Sequence, residues 1–241
     1  MTHILHMAVL LLALTALHSC DAQEKEIKNE NTMTLIYVYD PLCGWCYGFS
    51  PVIQQFYEQT TELKEVRVIS GGMVTAERTG PIGEVAPYIK EAYKDVEQST
   101  GITFGKSFLE DVLEEGSTIF TSIPPSIALA VFKDMMPEKQ LQFAGDIQKA
   151  IYYDGVAPEN LQAWSERAAQ YGLDQELFYE RLQAEKYAQK AREDFADAQT
   201  LGVRGFPTVF VKDGDQMHLL ARGYLDYASL EKNYKEVVGK H

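Results

Sequence analysis

Apolar and β-branched residues run almost without interruption from Thr34 to Asp40 (TLIYVYD), and Val66 to Met73 (VRVISGGM) is predicted to be the next strand, closed by a pair of glycines. The first, continuous run is typical of a strand buried on both faces of an α/β sheet. The segment between them (CGWCYGFSPVIQQFYEQT) is predicted to be a helix that begins near Cys43. Pro51 lies inside this helix and is expected to kink it, because proline lacks an N–H group and crowds the preceding turn.

From about Thr75 to about Lys190, the apolar residues follow helical spacing instead, and the signals for strands disappear. In one of these segments, Leu161, Trp164, Ala168 and Tyr171 fall on a single helical face. A block of this length is too long to be a loop between neighbouring elements. The pattern therefore predicts a run of several helices.

The pattern changes again near the C-terminal end. A further helix is predicted to end at Gly202, a residue type favoured just past a helix C-terminus. TVFVKDGDQMHLLARGY contains two strand-like runs around Asp213-Gly214-Asp215, which predicts a β-hairpin. Asp226 is predicted to cap a final helix. The order of elements predicts a small α/β sheet domain interrupted by an all-helical insertion.

The N-terminal residues form a separate segment. The apolar run from Met7 to Leu17 (MAVLLLALTAL) has the length of a signal peptide and is short for a membrane span. We interpret residues 1–19 as a signal peptide and the polar residues 20–33 as a tether. LHSC resembles a bacterial lipobox, which implies cleavage before Cys20 and lipidation of its thiol. The alternatives are a secreted protein without lipid, a buried core helix in place of the signal peptide, and a cytoplasmic form starting at Met33.

Charge and composition narrow the function classes. The formal net charge of −13 disfavours nucleic acid as a partner, because phosphates need a basic face. Apolar residues make up 46% of the chain, which is enough for a core without disulfide or metal staples.

The candidate chemistry lies in YDPLCGWCYGFSP, where Cys43 and Cys46 are separated by two residues. The two cysteines would supply half of the four ligands of a structural zinc site. Of the histidines, only His218 and His241 remain after the predicted signal cleavage. A metal site and a pair of inert buried cysteines are the alternatives to a redox pair. A sulfur between a strand and a helix lies at the helix N-terminus, where free N–H groups and the helix dipole stabilise a thiolate. Cys43 is thus predicted to be the nucleophile and Cys46 to resolve the mixed disulfide.

This arrangement resembles the thioredoxin superfamily. GVRGFPTVFV, residues 202–211, is similar to the cis-proline loop of that superfamily, which implies that Pro207 packs against the active-site sulfurs with Phe206 beside it. An ordinary strand-opening proline is the alternative for Pro207. The helical insertion resembles that of DsbA-like proteins, and DPLCGWCYGFSP, AIYYDG, AAQYGLD and LGVRGFPT resemble the FrnE-type branch of predicted protein-disulfide isomerases. The resemblance covers the chain from about Thr34 onward.

The implied fold is thioredoxin-like, with an all-helical insertion between an N-terminal β-α-β unit and a cis-proline half. Residues 34–75 and 191–241 would form the two parts of the core, and residues 76–190 the insertion.

The resemblance implies a protein thiol–disulfide oxidoreductase or isomerase that needs no metal or other cofactor, because the Cys43–Cys46 pair is the redox centre. Its expected partners are cysteine-containing envelope proteins and a redox partner protein. We expect an exported protein, periplasmic or anchored to a membrane only through lipid on Cys20. The alternatives are a redox-sensitive binding or adaptor protein, and a glutathione-dependent isomerase or transferase, a class that usually has serine at the position of Cys43. Oxidation, reduction and isomerisation are all compatible with the pair.

Further residues are expected to tune the site. Gly44-Trp45 in the active turn and Phe206 opposite it are expected to contact substrate, and Arg204 is a candidate local cation. The alternatives are an apolar lid on the site for Trp45 and an ordinary surface residue for Arg204. Because residues 35–63 contain no Lys, Arg or His, the helix N-terminus should be the main stabiliser of a thiolate, opposed by the carboxylate of Asp40. We expect a reduction potential between those of thioredoxin and DsbA, roughly −270 to −120 mV.

The lipobox resemblance predicts that the mature protein starts at Cys20 and carries lipid. After expression in a bacterial host, intact-mass spectrometry should show Cys20 modified by more than one acyl chain, since one chain gives only marginal membrane binding. The protein should sediment with membranes, and Cys20→Ser should release it. An N-terminus at Met33, or a mature chain with unmodified Cys20, would contradict this prediction.

Overall fold

The computed structural model describes residues 33–239. The predicted signal peptide, the lipidation site Cys20 and nearly all of the predicted tether lie outside these residues. Within the described range, no helix has both the length and the apolar character needed to cross a membrane.

The described residues form a mixed α/β structure, which confirms the predicted fold class. The strands are β1 (Met33–Tyr39), β2 (Leu63–Ser70), β3 (Gly80–Pro81), β4 (Ile119–Phe120), β5 (Thr208–Asp213) and β6 (Gln216–Arg222). The α-helices are α1 (Gly44–Gln59), α2 (Ala86–Thr100), α3 (Ile123–Met135), α4 (Gln140–Tyr152), α5 (Leu161–Ala169), α6 (Gln175–Leu182), α7 (Glu185–Thr200) and α8 (Tyr227–Val238).

The central sheet has the strand order β2-β1-β5-β6. β1 is parallel to β2 and antiparallel to β5, and β5 and β6 form the predicted hairpin around Gly214, which has a positive φ of 56°. Tyr37 pairs with Val68 on one side and Val209 on the other. β1 therefore lies in the middle of the sheet, and the residues from Leu35 to Tyr39 are all buried, as the continuous apolar run predicts.

Local signals explain where three helices begin or end. α1 begins directly after Cys43 and continues as one helix past Pro51. α7 is followed by Gly202 in the left-handed region, with φ of 69°, a conformation that favours glycine. The Asp226 side chain accepts a hydrogen bond from the N–H of Ser229 and caps α8, as predicted.

The insertion departs from the prediction in three details. β3 and β4 pair as a small antiparallel sheet within it, so it is not all-helical. Strands of two residues are too short to produce a readable alternation of apolar and polar positions. Residues Ser107–Leu113, predicted to be helical, form a π-helix. The boundary predicted at residue 190 lies inside α7, a continuous helix that packs on both α3 and β2.

Side chains from the helices cover the outer edge of β2. The Gln140 amide accepts from the N–H of Val68 (2.8 Å) and donates to the carbonyl of Val66 (2.9 Å). Lys133 Nζ donates to the Val68 carbonyl at 2.9 Å. In addition, the N–H of Ser70 donates to a carboxylate oxygen of Asp194 at 3.2 Å. Backbone groups that an edge strand leaves unpaired are thus satisfied by side chains.

The ammonium of Lys133 on α3 also bonds both oxygens of the Asp194 carboxylate on α7, at 3.0 and 2.8 Å. Both side chains are largely withdrawn from solvent, with 23% and 9% of their surface exposed. This ion pair therefore joins two helices to the sheet at one point.

Lys133→Met should lower the free energy of unfolding by about 3 kcal/mol, because it leaves the buried Asp194 carboxylate unpaired. Arg192→Met is the matched control: it removes the same charge from an exposed pair with Glu185 and should cost less than about 1 kcal/mol. Urea unfolding of both variants provides the comparison. Equal losses in the two variants would show that the covered edge of β2 does not depend on this pair.

Candidate active site

The two cysteines lie where β1 passes into α1. Cys43 is the N-cap residue of α1, and its N–H donates to the carbonyl of Asp40 at 3.1 Å, which closes a tight turn. Cys46 lies one turn further into the helix. Both are free thiols, but Cys43 retains 7% of its surface exposed and Cys46 none. Only the first sulfur can be reached by another molecule.

The cis-proline loop lies against the first sulfur. The peptide bond between Phe206 and Pro207 is cis, and the Cys43 thiol donates a hydrogen bond to the Phe206 carbonyl at 3.5 Å, across a separation of 163 residues. The Phe206 ring packs on Gly71, where an added Cβ would lie only 2.1 Å from the ring. The absence of a side chain at Gly71 therefore permits the close approach of the two loops.

The environment of the second sulfur favours its protonated form. Burial raises the pKa of the Cys46 thiol well above its usual value, and the hydrogen bond and charge of Cys43 raise it further. A hydrogen bond from the backbone of Asp40 opposes these effects, whereas the charge of the Asp40 carboxylate adds to them. In the reduced protein at neutral pH, Cys46 is accordingly a thiol.

Asp40 is a buried carboxyl at the end of β1. One oxygen accepts hydrogen bonds from the Leu42 N–H (2.9 Å) and the Ser122 hydroxyl (2.8 Å), and the other accepts from the Met73 N–H (2.6 Å). Burial raises the pKa of Asp40 to about 6, and the hydrogen bonds limit this rise. The group thus joins the active turn to the loop after β2 and to the start of α3.

A second side chain fixes the turn from the insertion. The Gln148 amide on α4 donates to the carbonyl of Asp40 at 3.2 Å and to that of Cys43 at 3.4 Å. Both ends of the turn are held by one buried residue, so the position of the sulfur depends on the docking of α4.

A cleft of about 600 Å³ opens at the exposed sulfur. Phe104 and Tyr152 from the insertion line it, with ring centroids 5.2 Å apart. Two charged residues, Arg78 and Arg204, also line it. The cleft therefore offers aromatic surface and positive charge beside Cys43.

Several residues predicted from the sequence meet in this cleft. Gly44, Trp45, Phe206 and the candidate cation Arg204 line it together with Cys43. Pro207 is buried behind Phe206 and does not line the cleft. The contributions of these residues to substrate binding and catalysis stay predictions.

Sequence reasoning missed Arg78, Tyr88, Phe104 and Tyr152, which come from the loop after β2 and from the insertion. No local motif marks Arg78, Tyr88 or Phe104, and AIYYDG, which contains Tyr152, carries the family resemblance without indicating a place at the site. Only the folding of distant segments brings these residues to Cys43. Within the described range, no three His, Cys, Asp or Glu side chains are grouped as they would be to hold a metal ion.

Comparison with known proteins extends these observations. Residues 34–235 match the family model of the DSBA-like thioredoxin domain. The chain is similar to a crystal structure of a candidate protein disulfide isomerase from Nitrosomonas europaea, with a TM-score of 0.77, 26% identity, and coverage of 87% of this chain and 99% of the other. It is also similar to the cytosolic disulfide reductase DsbM from Pseudomonas aeruginosa, with a TM-score of 0.72, 29% identity, and coverage of 86% and 100%.

Among characterised sequences, the chain is similar to the ClpXP adapter protein SpxH of Halalkalibacterium halodurans. The two are 23% identical over 224 residues, which are 91% of this chain and 72% of that protein.

The raised pKa of Asp40 predicts how stability depends on pH. At pH values between the ordinary pKa of 3.8 and the folded-state pKa of about 6, Asp40 has released its proton in the unfolded chain and retains it in the folded chain. Rising pH therefore favours unfolding in this window, by on the order of 3 kcal/mol in total. Urea unfolding of the reduced protein from pH 4 to 6.5 should show this loss relative to Asp40→Asn, which has no proton to release. A stability difference that grows in favour of the wild type over this range would contradict the prediction.

Proposed function

This chain belongs to the family of DSBA-like thioredoxin domains and is a thiol–disulfide oxidoreductase; we propose that it exchanges disulfides through a mixed disulfide on Cys43 that Cys46 resolves. The observation that carries this proposal is the unequal exposure of the two sulfurs. Cys43 is accessible at the helix N-terminus, whereas Cys46 is fully buried one turn away. A substrate can therefore bond only the first sulfur, and the second acts after it.

The exchange balances as two successive displacements. The Cys43 thiolate attacks one sulfur of a substrate disulfide, forms a mixed disulfide and releases the other substrate sulfur as a thiolate, which takes up a proton. Cys46 then loses its proton and attacks the Cys43 sulfur, which releases the second substrate thiol and leaves a Cys43–Cys46 disulfide. Two electrons pass from the protein to the substrate, and the reverse sequence oxidises a dithiol.

The cleft supports a substrate that includes more than the disulfide. Its aromatic walls, Phe104 and Tyr152, are buried, while Tyr88 on α2 is 73% exposed at the rim. An apolar side chain beside the substrate cysteine would pack on these rings. The loop of residues 204–206 presents backbone next to Cys43, where an extended segment could form hydrogen bonds.

We place this reaction among exported proteins, because the apolar run in residues 1–19 and the LHSC sequence are typical of a lipoprotein signal. The substrates would be cysteine-containing envelope proteins, and a redox partner protein would restore the cysteine pair. In a cytoplasmic form starting at Met33, a small thiol would act as the reductant; the Pseudomonas aeruginosa DsbM structure has also been solved with GSH.

An adapter protein is a second candidate function, favoured by the match to SpxH over 91% of this chain. An oxidoreductase turns over repeatedly with a thiol donor, whereas an adapter whose cysteines only switch its shape reacts once. Multiple turnover on a small disulfide with excess thiol therefore separates the two functions.

Cys46→Ser should accumulate covalent mixed disulfides with partner proteins, because the displacement that resolves them is absent. Cys43→Ser should accumulate none, since Cys46, the remaining sulfur of the active site, is buried. Non-reducing electrophoresis with mass spectrometry of the trapped species measures both, and the double variant is the background control. Equal trapping by the two single variants, or trapping by neither, would overturn the assignment.

A further inference from the structure

The arginines divide into two groups by their partners. Four of the seven form ion pairs with carboxylates: Arg67 with Asp197, Arg167 with Asp154, Arg181 with Asp134, and Arg192 with Glu185. Within residues 33–239, the other three have no carboxylate within ion-pair distance. These three are Arg78, Arg204 and Arg222, and all of them line clefts at the cis-proline loop.

A second cleft, again of about 600 Å³, is also lined by residues of this loop. Arg204 and Arg222 line it, and an added Cβ at Gly202, Gly205 or Gly223 would meet nothing within 4 Å. The glycines thus leave space open in the cleft that the two arginines line. We call this space the arginine cleft.

The arginine cleft continues into the cleft at Cys43, because Arg204, Gly205 and Phe206 line both. A molecule bonded to the Cys43 sulfur that extends along these three shared residues would enter the arginine cleft. The second site is therefore placed for part of a substrate that is already engaged at the first.

The charge of both clefts contrasts with that of the chain. The chain has 35 acidic and 22 basic residues, yet among residues 33–239 no Asp or Glu lines either cleft. Arg78 is held on the far wall of the Cys43 cleft by a hydrogen bond from its guanidinium to the Met73 carbonyl at 3.1 Å. The walls of the two clefts therefore present three cations to an anion, Arg78 and Arg204 beside Cys43 and Arg222 next to Arg204, while the Asp40 carboxyl is buried and lines neither cleft.

On the basis of the proposed function, we propose that Arg204 and Arg222 form a carboxylate subsite that selects disulfide substrates with acidic groups near the reacting cysteine. The planar guanidinium group binds a carboxylate through two parallel hydrogen bonds, and both arginines have donors free for this purpose. The carboxylate could belong to a small acidic disulfide or to an acidic residue that flanks a cysteine in a polypeptide.

The test uses three small aliphatic disulfides that differ in charge: dithiodipropionate (anionic), bis(2-hydroxyethyl) disulfide (neutral) and cystamine (cationic). Stopped-flow fluorescence of Trp45 reports the oxidation of the reduced protein by each. The readout is the ratio of the rate constant for the anionic disulfide to that for the neutral one. Because it is a ratio, it cancels a general loss of Cys43 reactivity.

Arg222→Gln and Arg204→Gln should each lower this ratio about tenfold at low salt. Arg222→Lys should lower it less, since it keeps the charge but loses the two-pronged geometry. Raising the salt concentration should shrink the wild-type preference. Lys212→Gln is the matched control, because it removes one exposed charge near the far end of β5 and should leave the ratio unchanged.

An unchanged ratio in both arginine variants, or an equal fall in Lys212→Gln, would overturn the proposal. Failure of the wild type to react with any of the three disulfides would instead reject the proposed function. Two peptide disulfides, with Asp or Asn beside the cysteine, identify the source of the carboxylate. If the arginine variants lose rate only with dithiodipropionate, the subsite binds small acids. If they also lose rate with the Asp peptide relative to the Asn peptide, the subsite binds acidic polypeptides as well.

Discussion

The geometry of the site depends on one buried carboxyl. Asp40 ends the central strand β1, and its two oxygens accept hydrogen bonds from three separate segments: the active turn, the loop after β2 and the start of α3. A carboxyl without these donors would be costly to bury. With them, it fixes Cys43 relative to the Gly71–Met73 loop and, through Gly71, relative to Phe206. The same burial raises its pKa, so the group that positions the sulfurs also titrates near neutrality.

The insertion is part of the active site as well as an addition to the fold. Gln148 on α4 holds the carbonyls at both ends of the active turn, and Phe104 and Tyr152 supply the aromatic wall of the cleft. The sheet contributes the sulfurs and the cis-proline loop, while the insertion contributes much of the surface that a substrate would touch. Changes in the insertion can therefore alter substrate choice without any change to the cysteines.

The parts of the structure that short sequence patterns encode could be predicted. The apolar run of β1, the placement of Cys43 at a helix N-terminus, the glycine after α7 and the cap at Asp226 are all local, and the structure has each of them. The paired strands β3 and β4 were missed because two residues carry no periodic signal. Arg222 was missed for a different reason: it looks like any surface arginine until the loop containing Arg204 folds beside it.

The covered edge of β2 has a consequence for an oxidoreductase that handles incompletely folded chains. Such chains expose extended segments that add readily to an unpaired strand edge, and a sheet with a free edge would bind them irrespective of their cysteines. At β2, the side chains of Gln140, Lys133 and Asp194 already occupy the backbone groups that an incoming strand would need. If the substrates of this protein are incompletely folded polypeptides, β2 would therefore not serve them as a template for co-aggregation.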